Sequence, residues 1–128
     1  MWFENQIRQD NVTQLKCRLV CEAANGPTTP AADRILHERG IPILPDILTN
    51  SGGVCVSYFE WVQNIENEQW DREEVNSKLL RKMQRAVDAT VDRQRQISQQ
   101  RPVDLRTAAM AVAIGRVANV ALERGIWP

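Results

Sequence analysis

Residues 16–44 read KCRLVCEAANGPTTPAADRILHERGIPIL, and this stretch decides the fold class. Its first part, residues 16–24, is rich in β-branched and small apolar side chains and ends at an Asn-Gly-Pro turn signal. Its last part, residues 41–44, is a short apolar run interrupted by proline, which is typical of a strand near a sheet edge. We therefore predict a buried strand over residues 16–24 and a second, shorter strand over residues 41–44.

A short helix is predicted between these strands. Thr29 precedes Pro30, which is the pattern of a helix cap followed by proline at the first helical position, and Gly40 follows the last periodic residue. The helix is thus expected over residues 30–39. Because the links to both strands are short, the three elements predict a βαβ unit with parallel strands and a right-handed crossover.

Three longer helices are predicted in the rest of the chain. Apolar residues recur at helical spacing from Val54 to Ile65, which predicts the first of them. Asp71 and Glu74 have the spacing of a capping box and predict the start of a long second helix. This helix should end near Gln99.

The third helix should follow Pro102, with Asp104 and Thr107 at its capped start. Its apolar positions predict one buried side, formed by Leu105, Ala109, Val112, Val117, Val120 and Ala121. Helical spacing and the lack of a basic surface also favour a place in the core, rather than in a stacking platform, for Tyr58, Phe59 and Trp61.

Composition excludes several classes of protein. The 128 residues include 16 Lys and Arg and 16 Asp and Glu, so the net charge gives no basis for binding nucleic acid or anionic lipid. No apolar run approaches the roughly 20 residues that span a bilayer, and the chain opens without signal-peptide features.

The three cysteines, Cys17, Cys21 and Cys55, lack metal-ligand spacing and are expected to be reduced, buried residues of a cytoplasmic protein. No metal site is expected.

Two turns are predicted to share one rim of the sheet. Ligands of open α/β sheets bind beyond the carboxyl ends of the strands, which lead here into Asn25-Gly26 and Asn50-Ser51-Gly52-Gly53. Glycine allows close approach of the backbone to a ligand, and the following helix start offers unpaired N–H donors. Val54 and Ser57 share a helix face, so an apolar contact and a hydroxyl are placed to line one pocket for a small acid.

A second interpretation stays open, because turns and helix starts of this kind are common where no ligand binds. Ser57 alone is weak evidence, since a serine in a helix commonly bonds a backbone carbonyl. Glu22, Asp46 and Glu60 are acidic residues in apolar surroundings, and His37 is the only histidine. None of them has an observable partner, so no catalytic residue is assigned.

The residues also carry a family resemblance. The stretch CEAANGPTTPAADRILHERGIPILPDILTNSGGVCVSYFEWVQN, residues 21–64, is closely similar to the corresponding part of the hexameric NAD(P)-dependent glutamate dehydrogenases. The resemblance continues through VDLRTAAMAVAIGRVANVALERGIWP, residues 103–128, and includes ENQI, residues 4–7. The combination of GPTTP with VSYFEW favours the glutamate branch over leucine and phenylalanine dehydrogenases. It implies reversible oxidative deamination of L-glutamate to 2-oxoglutarate and ammonia, with NAD or NADP as the cofactor.

The resemblance assigns roles to the two turns. Asn25, in a turn with Gly26, resembles the family asparagine that contacts the nicotinamide-ribose portion of the cofactor. Asn50 resembles the asparagine at the junction of nicotinamide and substrate. Gly52 and Gly53, which follow it, belong to the substrate-binding side of this junction.

The resemblance also assigns the substrate contacts. Val54 is similar to the apolar wall beside the substrate side chain, and Ser57 to the hydroxyl that binds its distal carboxylate. A charge-assisted hydrogen bond there would distinguish an acidic from an aliphatic side chain. Three positions depart from the family pattern: Ala23 stands for glycine, Ser51 for alanine, and Trp2-Phe3 for small residues. Ala23 is expected to crowd the strand end and so to hinder close cofactor approach.

The resemblance implies the C-terminal portion of the enzyme, and hence an incomplete Rossmann-like parallel sheet in an α/β, mostly helical chain. Two strands do not make an independently stable parallel sheet. We treat residues 1–128 as a single domain, with residues 1–53 as a partial dinucleotide-binding βαβ segment and residues 54–128 as a C-terminal helical segment. The six glycines give no G-x-G-x-x-G turn. The family's catalytic lysine and aspartate are also missing from the resemblance.

The chain alone is therefore expected not to catalyse the reaction. The alternative is a non-catalytic, oligomerising interaction module derived from the enzyme. In both cases the open sheet edge and the apolar helix faces are expected to pack against another polypeptide. The expected partners are a second copy of the chain or an N-terminal dehydrogenase portion, together with L-glutamate or 2-oxoglutarate, and neither nucleic acid nor a membrane.

Overall fold

The computed structural model describes residues 4–125, so the departure at Trp2 and Phe3 lies outside the described residues. A 3-10 turn at Val12–Gln14 comes first. It is followed by strand β1 (Val20–Cys21), helix α1 (Pro30–Glu38) and strand β2 (Ile43–Leu44). Four helices complete the chain: α2 (Asp46–Thr49), α3 (Ser51–Glu66), α4 (Arg72–Ser98) and α5 (Leu105–Arg124). The α/β, mostly helical architecture with two strands is as predicted.

The predicted βαβ unit is confirmed. β1 and β2 are parallel neighbours, with Val20 opposite Ile43 and Cys21 opposite Leu44, and α1 connects them. The apolar side chains of this unit form the buried core, which consists of Val12, Val20, Ala32, Leu36, Ile41 and Ile43.

β1 is much shorter than the predicted strand over residues 16–24. Its partner β2 lies between Pro42 and Pro45, and proline has no N–H with which to extend a ladder. The ladder therefore stops after two residue pairs. Leu19, inside the predicted strand, is 46% exposed.

Side-chain caps define the starts of the long helices. Oδ1 of Asp71 accepts from the backbone N–H of Glu74 (2.8 Å), and Oδ1 of Asp104 accepts from that of Thr107 (2.7 Å). α4 ends at Ser98, with Gln99 as its C-cap residue, close to the predicted end near Gln99. These contacts satisfy helix N–H groups that have no partner within the helix.

The helix predicted from Val54 begins earlier, at Ser51. Gly52 and Gly53 therefore lie inside its first turn and not in a turn ahead of it, and the expected boundary after residue 53 falls within α3. The short α2 was not predicted. Asn50 ends α2 and also precedes α3 as its N-cap residue, so the two helices join without a loop.

Several side chains expected in the core are exposed. Phe59 is buried, at 3% exposure, but Tyr58 and Trp61 are 51% and 57% exposed. On the predicted buried side of α5, Ala109 is buried whereas Val117 is 71% exposed. The reason is that α3 packs against α4 and α2, and α5 against α4, α2 and β2, and these contacts leave one face of each long helix open among residues 4–125.

The prediction of three buried cysteines is also wrong. Cys21 is exposed, and Cys17 and Cys55 are half-buried; all three are free thiols. The side chains of β1 alternate between its two faces, with Val20 buried and Cys21 turned outward.

α5 is long and apolar enough, by length and composition, to cross a membrane, with 20 residues and a mean hydropathy of 1.3. The prediction that no apolar run approaches this length is therefore wrong. Its first turn nevertheless carries Arg106 in contact with three carboxylates, and the helix packs against α4 and β2.

Candidate functional site

Asn25, in the turn after β1, and Asn50, at the junction of α2 and α3, lie at the same rim of the sheet, beyond the carboxyl ends of β1 and β2. Gly26 has φ +55°, a left-handed conformation that glycine adopts readily, and its amide donates to Oδ2 of Asp46 (2.7 Å). Asp46 is the first residue after β2 and Pro45. The turn after the first strand is thus tied directly to the segment after the second.

The side chains of Asn25 and Asn50 are in contact. Nδ2 of Asn50 donates to Oδ1 of Asn25 (2.6 Å) and to the carbonyl oxygen of Ala23 (3.3 Å). Two carbonyl acceptors fix which atom of the Asn50 amide is nitrogen. Among residues 4–125, Nδ2 of Asn25 and Oδ1 of Asn50 have no hydrogen-bond partner, so one amide donor and one amide acceptor remain for a ligand.

Asn50, Val54 and Ser57 form one stripe of α3, because residues four and seven apart return to the same helix face. Val54 is 69% exposed and Ser57 is also exposed. The stripe runs about 10 Å along the helix axis from the asparagine pair to the Ser57 hydroxyl. The structure therefore places an amide, an apolar group and a hydroxyl in a row on an open face.

Gly52 and Gly53 are helical, with no left-handed backbone to explain them. A Cβ at Gly53 would meet nothing within 4 Å among the described residues, and one at Gly52 would make ordinary contacts with Leu79 and Met83. Glycine in a helix is less stable than alanine by about 0.5–1 kcal/mol. Neither glycine is required by the packing among the described residues. The lack of a side chain at both positions fits a surface that a ligand or another chain approaches closely.

Arg106 is the functional candidate that the sequence analysis missed. Its Nη2 lies 2.7 Å from Oε1 of Glu22, its Nε lies 2.7 Å from Oδ2 of Asp33, and its Nη1 lies 3.5 Å from Oδ1 of Asp46. The Glu22 side chain is fully buried, so this pair is screened little by solvent. The three acids follow β1, begin α1 and follow β2, and the arginine joins all of them to α5.

One sequence signal pointed to this arginine. A cation in the first turn of a helix is opposed by the positive end of the helix dipole, so Arg106 needs acidic partners to be stable there. Glu22, Asp33 and Asp46 supply them. These acids lie 60 to 84 residues before Arg106, so local spacing in the sequence does not identify them as its partners.

The partners of Arg106 alter its proton affinity. The hydrogen bond to Glu22, followed by that to Asp33, raises the pKa of the Arg106 guanidinium above its usual value, while burial acts in the opposite direction. Because the pKa is raised in the folded state, the contact stabilises the fold below the pKa that the guanidinium has in the unfolded chain. This contribution is lost only as the pH rises through the folded value, so the arginine is charged throughout the neutral range.

The remaining candidates take structural positions. Ser51 Oγ donates to the carbonyl oxygen of Leu48 (2.7 Å). Ala23 is exposed, and its effect on close cofactor approach stays a prediction. Glu60 is exposed, and His37 lies in the last turn of α1, where a positive charge is favourable. Residues 4–125 hold no cluster of three side chains placed to bind a metal ion.

Comparison with known proteins gives the family. The family model for glutamate/leucine/phenylalanine/valine dehydrogenases matches residues 3–125. The chain belongs to this family. The NAD-specific glutamate dehydrogenase of Staphylococcus aureus (strain COL) is 51% identical over 123 residues, which are 96% of this chain and 29% of that protein. The glutamate dehydrogenase of Thermotoga maritima is 46% identical over 126 residues, which are 98% of this chain and 29% of that protein.

Solved structures of glutamate dehydrogenases share the fold. The Peptoniphilus asaccharolyticus enzyme superposes with a TM-score of 0.87 at 42% identity, over 99% of this chain and 31% of that one. The hetero-hexameric enzyme of Thermus thermophilus gives 0.90 at 33% identity, over 98% and 29%. The chain thus corresponds to less than a third of the length of these family members, which explains why its sheet has two strands and its helices have open faces.

Proposed function

We propose that this chain supplies part of the active site of an NAD-dependent glutamate dehydrogenase, the enzyme class that interconverts L-glutamate with 2-oxoglutarate and ammonia. The observation that carries the proposal is the 2.6 Å contact between Asn50 and Asn25, which leaves one amide donor and one amide acceptor at the carboxyl rim of the sheet. The nicotinamide ring carries a carboxamide, whose donor and acceptor complement these two groups.

The residues present fit the nicotinamide end of the cofactor. Asn25 and Asn50 would contact it, and the left-handed turn at Gly26 keeps the backbone there free of a side chain. When bound, the cofactor would accept the hydride that the substrate loses. The similarity to the NAD-specific glutamate dehydrogenase of Staphylococcus aureus favours NAD over NADP.

The substrate would lie along the stripe on α3. Gly53 leaves open space near the asparagine pair, and Gly52 beside it faces Leu79 and Met83 of α4. Val54 offers an apolar wall, and the Ser57 hydroxyl would donate to the distal carboxylate of glutamate or 2-oxoglutarate. Turnover would need the remaining portion of a dehydrogenase, because residues 4–125 bring no acid–base pair to this stripe. We also propose residues 1–53 and 54–128 as the two segments of one domain, and a cytoplasmic location, which suits three free thiols.

Fluorescence titration of the chain with NADH tests this proposal. Saturable binding that 2-oxoglutarate modulates is expected, with loss of affinity in Asn25→Ala and no change in Asn64→Ala, an exposed asparagine two turns beyond Ser57 on α3. Binding that is absent, or that Asn64→Ala weakens as much as Asn25→Ala, would count against the proposal. Glutamate-dependent NAD reduction by the purified chain alone would contradict the need for a second portion.

A non-catalytic interaction module is the second candidate, and the exposed apolar helix faces favour it. Large apolar side chains that are at least 40% exposed continue along α3 and α5; they include Val54, Tyr58, Trp61, Ile65, Ile114, Val117 and Leu122. Contiguous apolar surface of this kind marks contacts between proteins. Light scattering across a concentration series tests it: a stable oligomer without NADH binding supports the module, and a monomer that stays soluble at high concentration argues against it.

A further inference from the structure

The hydrogen bonds around Arg106 continue beyond its three carboxylates to the asparagine pair. Oε2 of Glu22, the oxygen that does not face Nη2, accepts from the backbone N–H of Asp46 (3.0 Å). Oδ2 of Asp46 accepts in turn from the amide of Gly26 (2.7 Å). Glu22 and Asp46, but not Asp33, therefore contact the guanidinium with one carboxylate oxygen and a rim amide with the other.

The same acids sit next to both asparagines. Glu22 is three residues before Asn25, and its carbonyl oxygen accepts from the Thr49 hydroxyl, directly before Asn50. Asn50 then bonds to Asn25 itself. The turn at Gly26 is also held by the N-terminal segment, because the backbone amide of Asn5 donates to the Gly26 carbonyl oxygen (2.9 Å), whereas the ladder between β1 and β2 ends at Leu44.

We propose that Arg106 is a positioning residue for the Asn25–Asn50 pair. It anchors Glu22 and Asp46 from the start of α5, and these carboxylates set the distance between the two turns. The ligand that this pair would meet, a nicotinamide carboxamide, rests on the function proposed above, but the positioning itself does not. Docking of α5 is thereby coupled to the geometry of a rim on a different part of the chain.

Asp46 makes this coupling specific. It contacts Arg106 through Oδ1 and the Gly26 amide through Oδ2, so it is the direct link between the arginine and the first turn. Its Oδ1 also accepts from the amide of Ile47 (2.7 Å), which fixes the carboxylate plane. A guanidinium with a fixed fork of donors can hold three acids at once, whereas a lysine ammonium is a single charged centre.

NMR of the 128-residue chain tests the proposal by amide hydrogen exchange at Gly26 and by the side-chain NH₂ signals of Asn50. In Arg106→Gln, exchange at Gly26 should accelerate by about tenfold and the Asn50 signals should shift, while amides in the middle of α4 keep their protection. Arg106→Lys keeps the positive charge and should retain part of the wild-type protection of the Gly26 amide. Arg116→Gln, a neutralised arginine further along α5, should leave Gly26 and Asn50 unchanged.

Unchanged Gly26 exchange in a folded Arg106→Gln chain would overturn the proposal, and so would an equal loss of protection in α4. If Arg106→Gln does not fold, Arg106→Lys takes its place: exchange at Gly26 should accelerate, though less than tenfold, with α4 unchanged, and wild-type exchange at Gly26 would overturn the proposal. NADH titration of the same samples is a separate readout. A wild-type chain that fails to bind NADH while these exchange changes occur would remove the proposed function and leave the positioning role intact.

Discussion

The guanidinium of Arg106 lies 2.7 Å from the fully buried carboxylate of Glu22, and this contact joins the first turn of the last helix to the end of the first strand. The two residues are 84 positions apart in the sequence. The helical part of the chain and the βαβ unit are therefore held together at the rim that carries Asn25 and Asn50.

Glu22→Gln should destabilise the chain by about 1.5–3 kcal/mol, because it removes the fully buried counter-charge of Arg106 while Asp33 and Asp46 remain in contact with the guanidinium. The free energy of unfolding from urea titration measures this. Glu74→Gln is the matched control, since it removes the exposed ion pair with Lys78 (3.2 Å) and should cost no more than about 0.5 kcal/mol. Equal effects of the two substitutions would show that burial adds nothing to the Glu22 contact.

Gly53→Ala should stabilise the chain by about 0.5–1 kcal/mol, because the added methyl group meets open space and alanine favours the helix. Gly115→Ala, on α5, has the same open surroundings and should stabilise to a similar degree. The two variants should differ in ligand binding. NADH or 2-oxoglutarate affinity should fall in Gly53→Ala alone, and equal affinities would indicate that no ligand approaches the start of α3.

Phe59→Ala should cost about 3–5 kcal/mol, because Phe59 is the buried aromatic residue of α3 and its ring packs 5.8 Å from that of Trp70. Tyr58→Ala, at a half-exposed neighbour, should cost less than about 1 kcal/mol. Thermal or urea unfolding distinguishes them. A larger loss in Tyr58→Ala would mean that the outer face of α3 is covered in solution, for example by a second copy of the chain.

Ser57→Ala should leave the free energy of unfolding within about 0.5 kcal/mol of wild type, because Ser57 is exposed on α3. In the proposed site it should weaken the binding of 2-oxoglutarate but not that of an aliphatic 2-oxo acid without a distal carboxylate. Competition titrations with both acids measure the ratio of the two affinities. Ser77→Ala, another exposed helical serine, is the control, and an unchanged ratio in Ser57→Ala would remove Ser57 from the substrate site.

Local rules were sufficient for most elements. Thr29 with Pro30, Asp71 with Glu74, and Asp104 with Thr107 each mark a helix start whose cap is seen as a hydrogen bond. Capping depends on residues three positions apart, so the sequence contains all the information it needs. The same holds for the Asn25-Gly26 turn, where the left-handed conformation favours glycine.

Burial was predicted less well. Tyr58, Trp61 and Val117 have core-like chemistry and helical spacing but lie exposed, because burial depends on a partner surface that residues 4–125 do not provide. Periodicity shows which face of a helix is apolar, but not what covers it. The chain spans about 29% of the length of its Staphylococcus aureus relative, and the uncovered faces follow from that.

The sequence by itself determined the βαβ unit, the helix starts and the placement of both asparagines beyond strand ends, since these follow from local spacing and the geometry of parallel strands. Only the tertiary structure decided that Asn50 donates to Asn25 and that Arg106 holds Glu22, Asp33 and Asp46 together. These contacts join residues 25 to 84 positions apart. Pairing over such distances depends on how whole elements pack, and no local pattern encodes it.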